Sequence, residues 1–152
     1  MTEMTGARLL VPDVDNPLTR PFWAGCARGE LLVQRFTASG HLVWPPRPMD
    51  PASQTLEHEW VPVSGRGTVW SFVVPHPPLL PAYEARAPYN VIVVELAEDA
   101  ALRMVGNLVA TADSAIGELD PAGIVIGAAV EVVFARVDDV VLPRWRATGA
   151  GA

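Results

Sequence analysis

The chain has 152 residues, half of them hydrophobic, which is enough for one domain with a real core and short for two. Fifteen prolines and twelve glycines break long helices and favour short strands joined by turns. A net charge of -6, with arginine as every one of the eleven cations, argues against nucleic-acid backbone binding and excludes lysine Schiff-base chemistry and a lysine-dependent phosphate loop.

Residues 1–16 read as extended, without regular structure. This opening lacks a basic segment followed by a long apolar one, so no export signal is expected. No apolar run reaches the roughly 18 residues that a membrane span needs. Cys26 is the only cysteine, which rules out an internal disulfide and fits a reducing compartment; a cytoplasmic location is expected.

Residues 16–29 predict a short helix, with Thr19 as its cap, Pro21 in its first turn and Gly29 at its end. Phe22 and Cys26 fall one turn apart beside Trp23, giving a narrow apolar face. Residues 30–35 and 41–44 predict a pair of short strands around a turn at 37–40. Residues 45–48, Pro-Pro-Arg-Pro, are stiff and extended. Residues 56–62 alternate and predict another strand.

From residue 63 the pattern changes. Residues 63–75 predict a long strand entered through a glycine bend at Gly65-Arg66-Gly67. Residues 76–88 form a proline-rich loop too long for a plain connector, a length that often carries function. Residues 89–96 and 102–108 predict a hairpin. Residues 110–128 are a small-residue connector with at most one helical turn, ending at Gly127. Residues 130–137 and 140–145 predict a last hairpin across Asp138 and Asp139. Five strands in this order, with one long loop after the first, suit a small closed barrel of the OB type. No internal repeat is present.

Chemistry-bearing residues are sparse. Ser64, His76 and Asp99 are not brought together by any pattern, and no Gly-x-Ser-x-Gly elbow exists. Cys26 reads as a packed side chain rather than a nucleophile, and Glu95 as a solvent-facing strand residue. Gly65-Arg66-Gly67 fails as a dinucleotide fingerprint because strand formers follow it. Cys26, His41, Asp50, His58 and His76 lack metal-ligand spacing. The core is the simpler home for Trp60, Trp70 and Trp145, while Trp23 and Trp44 are better placed to meet another protein.

The motifs in order are PFW at 21–23, LLVQR at 31–35, PPRP at 45–48, SGRGTVWSF at 64–72, PYNVIVVEL at 88–96, VEVVF at 130–134 and LPRW at 142–145. Together they resemble an acyl-CoA-associated family, long catalogued as a domain of unknown function, over about residues 17–146. The resemblance implies a mainly β chain: a short N-terminal helix (1–29), a rubredoxin-like zinc-ribbon module (30–62) and a five-stranded OB barrel (63–148). It also implies a partner, because such proteins associate with thiolase-like enzymes, including lipid-transfer-type thiolases and aldolases, and with acyl-CoA hydratases.

The family's ribbon carries two pairs of cysteines. The corresponding positions here are Phe36, Ser39, Asp50 and Ser53, and none is a thiol, so the expected ribbon is a metal-free remnant. A structural zinc contributes about 10–16 kcal/mol of apparent binding energy, whereas burying a phenylalanine returns about 1.5–3 kcal/mol. The remnant is therefore expected to lean on the barrel through Trp44 and Trp60, and on a partner in a constitutive hetero-oligomer.

The resulting expectation is a non-catalytic accessory subunit that helps form the acyl-CoA site of a thiolase-like or hydratase partner in steroid, fatty-acyl or polyketide metabolism. The alternative is a stand-alone acyl-CoA-binding protein. A single-stranded nucleic-acid-binding OB domain is disfavoured because no cluster of cations lines a track. Arg47, Arg66 and Arg86 are candidate contacts for CoA phosphates, with Trp44 and Tyr89 flanking adenine or acyl chain. Phe22, Trp23, Trp44 and His76 are candidate partner contacts. No catalytic residue, no metal and no cofactor beyond CoA or acyl-CoA as ligand is expected.

Overall fold

A computed structural model describes residues 8–149. The extended reading of 1–16 therefore lies outside the described residues for 1–7; residues 8–16 carry only a turn.

Helix α1 spans Arg20–Ala27. Thr19 stands at the cap position, but its side chain makes no capping bond; the Asn16 carbonyl oxygen instead accepts from the Thr19 and Arg20 N–H groups. The helix ends as its glycine requires. Gly29 takes φ +77°, its N–H reaches the Cys26 carbonyl, and the Glu30 N–H reaches back to the Gly25 carbonyl, the paired pattern of a Schellman motif. Phe22 and Cys26 are each 1% exposed, so the predicted narrow face is the buried one.

The first sheet has the order β2-β1-β3, with β1 at Leu32–Phe36, β2 at Leu42–Val43 and β3 at His58–Pro62. Gln34 is buried at the centre of β1 and exchanges two hydrogen bonds with the Arg47 backbone (2.7 and 2.8 Å), tying the proline segment down.

The second sheet has the order β6-β5-β4-β7-β8 and is antiparallel throughout. Its strands are β4 Arg66–Val73, β5 Val91–Leu96, β6 Arg103–Gly106, β7 Ala129–Val137 and β8 Val140–Ala147. The chain beyond β6 then meets β8 in a parallel bridge between Leu108 and Trp145. The Val109 N–H bonds the Trp145 carbonyl and the Trp145 N–H bonds the Asn107 carbonyl. That parallel contact curls the sheet towards closure, which is the OB arrangement.

Alternation explains the core. Ile92, Val94 and Leu96 on β5 are buried and meet Val69, Met104, Val130 and Trp145. Trp23, Trp44 and Trp60 pack against this same cluster, so the small sheet and α1 share the barrel's core. Trp70 departs from expectation. Trp70 follows buried Val69 and lies 47% exposed on the outer face, under the guanidinium of Arg103 at 3.8 Å, and the pairing of β4 with β5 shifts between Val69 and Ser71. One connector holds more structure than its composition suggests: a short helix α2, Pro81–Glu84, lies inside the proline-rich loop. In the 110–128 connector the single expected turn is a 3-10 turn at Pro121–Gly123 that starts on the Asp120 side chain.

Candidate functional site

Of the four positions expected to be degenerate ligands, Ser39, Asp50 and Ser53 converge, and Phe36 packs apart from them. Phe36 is fully buried at the end of β1, its ring 5.8 Å from that of His58. Asp50 is also fully buried, and its carboxylate is the centre of a polar knot. Ser39 Oγ donates to Asp50 Oδ2 at 2.6 Å and Ser53 Oγ donates to the same oxygen at 2.5 Å. Oδ1 accepts the Ala52 N–H at 3.0 Å and lies 3.3 Å from His41 Nδ1.

Hydrogen bonds, from Ser39 first and Ser53 next, hold the Asp50 carboxyl far below the ordinary carboxylate range against the opposing effect of burial. A zinc ion does not fit this set. One position is a phenyl ring, two are hydroxyls already donating, and both oxygens of the lone carboxylate are occupied by protein donors. Among the described residues, no group of three or more His, Cys, Asp or Glu side chains gathers as a metal site.

The CoA candidates fall in separate places. Trp44 and Arg47 line one shallow groove of about 140 Å³ with His41 and the Ala101–Leu102 turn. Arg66 lines another, of about 480 Å³, on residues 95–100. Glu95, Glu98 and Asp99 surround it there, a setting that favours a cation over a phosphate. Glu98 accepts the Ser64 N–H at 2.7 Å. Burial works against the Glu98 carboxylate, but bonding to Ser64 and the charge of Arg66 hold it below its ordinary value.

Arg86 and Tyr89 sit together in the loop around α2, where Tyr89 is buried and its ring lies 5.8 Å from that of Tyr83. Of the candidate partner contacts, Phe22 is in the core, packed on Trp23 and Trp44 at 4.9 and 4.3 Å. Trp23 and Trp44 are half-buried, and His76 is exposed with Nδ1 2.8 Å from the Val74 carbonyl. Trp23 also lines an apolar groove of about 240 Å³ between α1 and the β7–β8 hairpin.

Two features escaped sequence reasoning. One is an uncovered apolar face. Val93 pairs with Val105 and Val73 with Val91, which sets them on the same side of β4, β5 and β6 as Trp70. The Gly127 N–H on the Val69 carbonyl brings Val125 and Ile126 beside it. Val73, Val105, Val125 and Ile126 are each about 60% exposed, at 59, 65, 64 and 61%. The shift in β4 turns Val73 to this side, while Val93 and Val105 face outward by the alternation of their own strands. The other feature is a buried arginine, Arg144, next to buried Trp145, where alternation would have sent one of the two outward. Cys26 reads as packing: burial pushes its thiol up to about 12, which removes nucleophilic character.

Known proteins of similar sequence and shape point the same way. Residues 60–135 match the family described as the ChsH2 C-terminal OB-fold domain. The chain is 36% identical over 150 residues to a 3-oxo-4,17-pregnadiene-20-carboxyl-CoA hydratase alpha subunit of Mycobacterium tuberculosis, covering 92% of this chain and 44% of that protein. It is 38% identical over 96 residues to a probable enoyl-CoA hydratase alpha subunit of Thermomonospora curvata, covering 62% of this chain and 29% of that one. The chain thus spans under half the length of these curated relatives. Among solved structures, a chain of the Ltp2-ChsH2(DUF35) aldolase superposes with a TM-score of 0.77 at 31% identity, covering 91% of this chain and all of that one.

Proposed function

The chain belongs to the ChsH2 C-terminal OB-fold domain family, and from that premise we propose that it is a non-catalytic accessory subunit. In this reading it docks on a thiolase-like or hydratase partner and helps form that enzyme's acyl-CoA site, in the cytoplasm, within steroid, fatty-acyl or polyketide metabolism.

The observation that carries the reading is the uncovered face centred on Trp70. A surface holding a tryptophan about half exposed, with Val73, Val105, Val125 and Ile126 each about 60% exposed around it, is what protein interfaces use. The relatives' names supply the chemistry of the partner, since one is an aldolase complex and the others are hydratase alpha subunits. Cys26 is buried with its thiol pushed up to about 12, and the buried Asp50 carboxylate accepts from Ser39, Ser53 and the Ala52 N–H.

The test is tagged capture of the chain from its own host, with the co-purifying proteins identified by mass spectrometry, and co-expression with each thiolase-like or hydratase protein recovered. Acyl-CoA turnover only by the pair, lost when Trp70→Asp abolishes co-purification, is the expected result. Turnover by the lone chain, or a monomer that captures nothing and binds acyl-CoA tightly, refutes it and favours a stand-alone binder.

A further inference from the structure

A fully buried carboxylate, Asp50, holds a surface imidazole in place. His41 Nδ1 lies 3.3 Å from Asp50 Oδ1, and the His41 side chain is 40% exposed. The two Asp50 oxygens also take the Ala52 N–H and the Ser39 and Ser53 hydroxyls, so this carboxylate acts purely as an acceptor. The proton of a neutral His41 therefore sits on Nδ1, and Nε2, across the ring, is left as a bare acceptor. No hydrogen bond from the described residues occupies it.

That imidazole lines the shallow groove of about 140 Å³ together with Trp44, Arg47, Pro51 and Leu102. The walls are held from behind. Trp44 is half-buried, with its ring on Phe22 at 4.3 Å. The Arg47 backbone is clamped by buried Gln34 at 2.7 and 2.8 Å. Leu102 is 1% exposed, and its N–H closes on the Asp99 carbonyl at 3.0 Å. By contrast, no hydrogen bond or ion pair of the described residues engages the Arg47 guanidinium. The Asp50 charge faces its own donors and does not neutralise it.

The groove falls well short of the roughly 300–1,000 Å³ that encloses a whole small ligand, so it fits one ring-sized group of a longer molecule. It offers that group an indole wall, an acceptor for a ring amino group and a cation for an adjoining anion. An adenine bearing a phosphate meets all three. We infer that His41, Trp44 and Arg47 form a subsite for an adenosine phosphate, supplied as the nucleotide end of CoA. The choice of CoA rests on the acyl-CoA reading above; the base-and-phosphate chemistry rests on the groove alone.

The test is an NMR titration of the whole chain with CoA, AMP and pantetheine, following the His41 imidazole and Trp44 indole signals. CoA and AMP are expected to shift both signals, CoA with the higher affinity. Pantetheine, which lacks base and phosphate, should shift neither. Arg47→Met should weaken both affinities by about tenfold, the loss of one charge-assisted contact. Its melting temperature should stay unchanged, because the guanidinium has no partner in the free chain, and Arg47→Lys should recover part of the affinity. Bound AMP should also protect His41 Nε2 from diethyl pyrocarbonate, read by peptide mass spectrometry.

Silence of both signals towards CoA and AMP, shifts confined to residues outside the groove, or equal CoA affinity in wild type and Arg47→Met overturns the inference. AMP binding more tightly than CoA overturns the assignment to CoA. Capture of a thiolase-like or hydratase partner alongside any of these results removes the subsite and leaves the accessory role standing.

Discussion

Truncating Phe36 to alanine tests how the small sheet stays folded without a metal. The side chain is 0% exposed and stands at one of the four positions expected, by resemblance, to correspond to ligand cysteines. Removing it forfeits about 1.5–3 kcal/mol of transfer free energy and leaves a cavity that the β1–β3 pairing, with the His58 ring 5.8 Å away, restrains from collapsing. The total for a phenylalanine in such a site is about 3–5 kcal/mol. Trp44 and Trp60 flank the module and pack on the barrel core, so urea titration monitored by tryptophan fluorescence reads both parts together. The expected outcome is one transition shifted as a whole, with a chelator having no effect on either protein. A loss below about 1 kcal/mol, or a chelator-sensitive wild type, would refute the account of burial and hydrogen bonding in place of coordination.

Three further outcomes concern acid stability, backbone strain and thiol reactivity. Because the Asp50 carboxyl is depressed in the folded state, its contribution to stability is complete above the ordinary aspartate value of 3.8. That contribution is lost as pH falls from there through the folded value, so the wild-type stability curve should drop more steeply than that of Asp50→Asn below about pH 4. Gly65 has φ +76°, and a Cβ there would sit 2.5 Å from Val132 Cγ1; Gly65→Ala should cost about 2–5 kcal/mol in denaturant titrations, part of it recovered when Val132→Ala is added. The Cys26 thiol, buried and raised to about 12, should resist alkylation at pH 8 in the native chain and react fully in denaturant.

Much of this architecture was legible because its signals are local. The barrel strands announced themselves through alternation, as in Val91–Leu96, where every second residue is buried. The helix stop at Gly29 and the bend at Gly65 were legible because both need positive φ. Of the four positions aligned by resemblance with the family's ligands, Ser39, Asp50 and Ser53 meet in space. The hydrogen-bonded knot on Asp50 was not legible, since it depends on Ser39 and His41 arriving from one turn and Ser53 from another. The turn of Val73 to the outer face and the burial of Arg144 beside Trp145 were not legible because each breaks strand alternation, by a register shift in one case and under the loop that carries Ser114 in the other. The short helix Pro81–Glu84 hid because prolines at both ends of a loop mask one turn of helix between them.

The seam where the wall of the cylinder meets itself is narrow. On one side it hangs on the backbone of a single tryptophan, Trp145, through bonds to Asn107 and Val109. The same indole is wholly shielded and its N–H has no protein acceptor. Any parting of the seam would let water reach that ring before the rest of the interior is wetted. Its emission colour is thus a built-in gauge of how often the cylinder unzips.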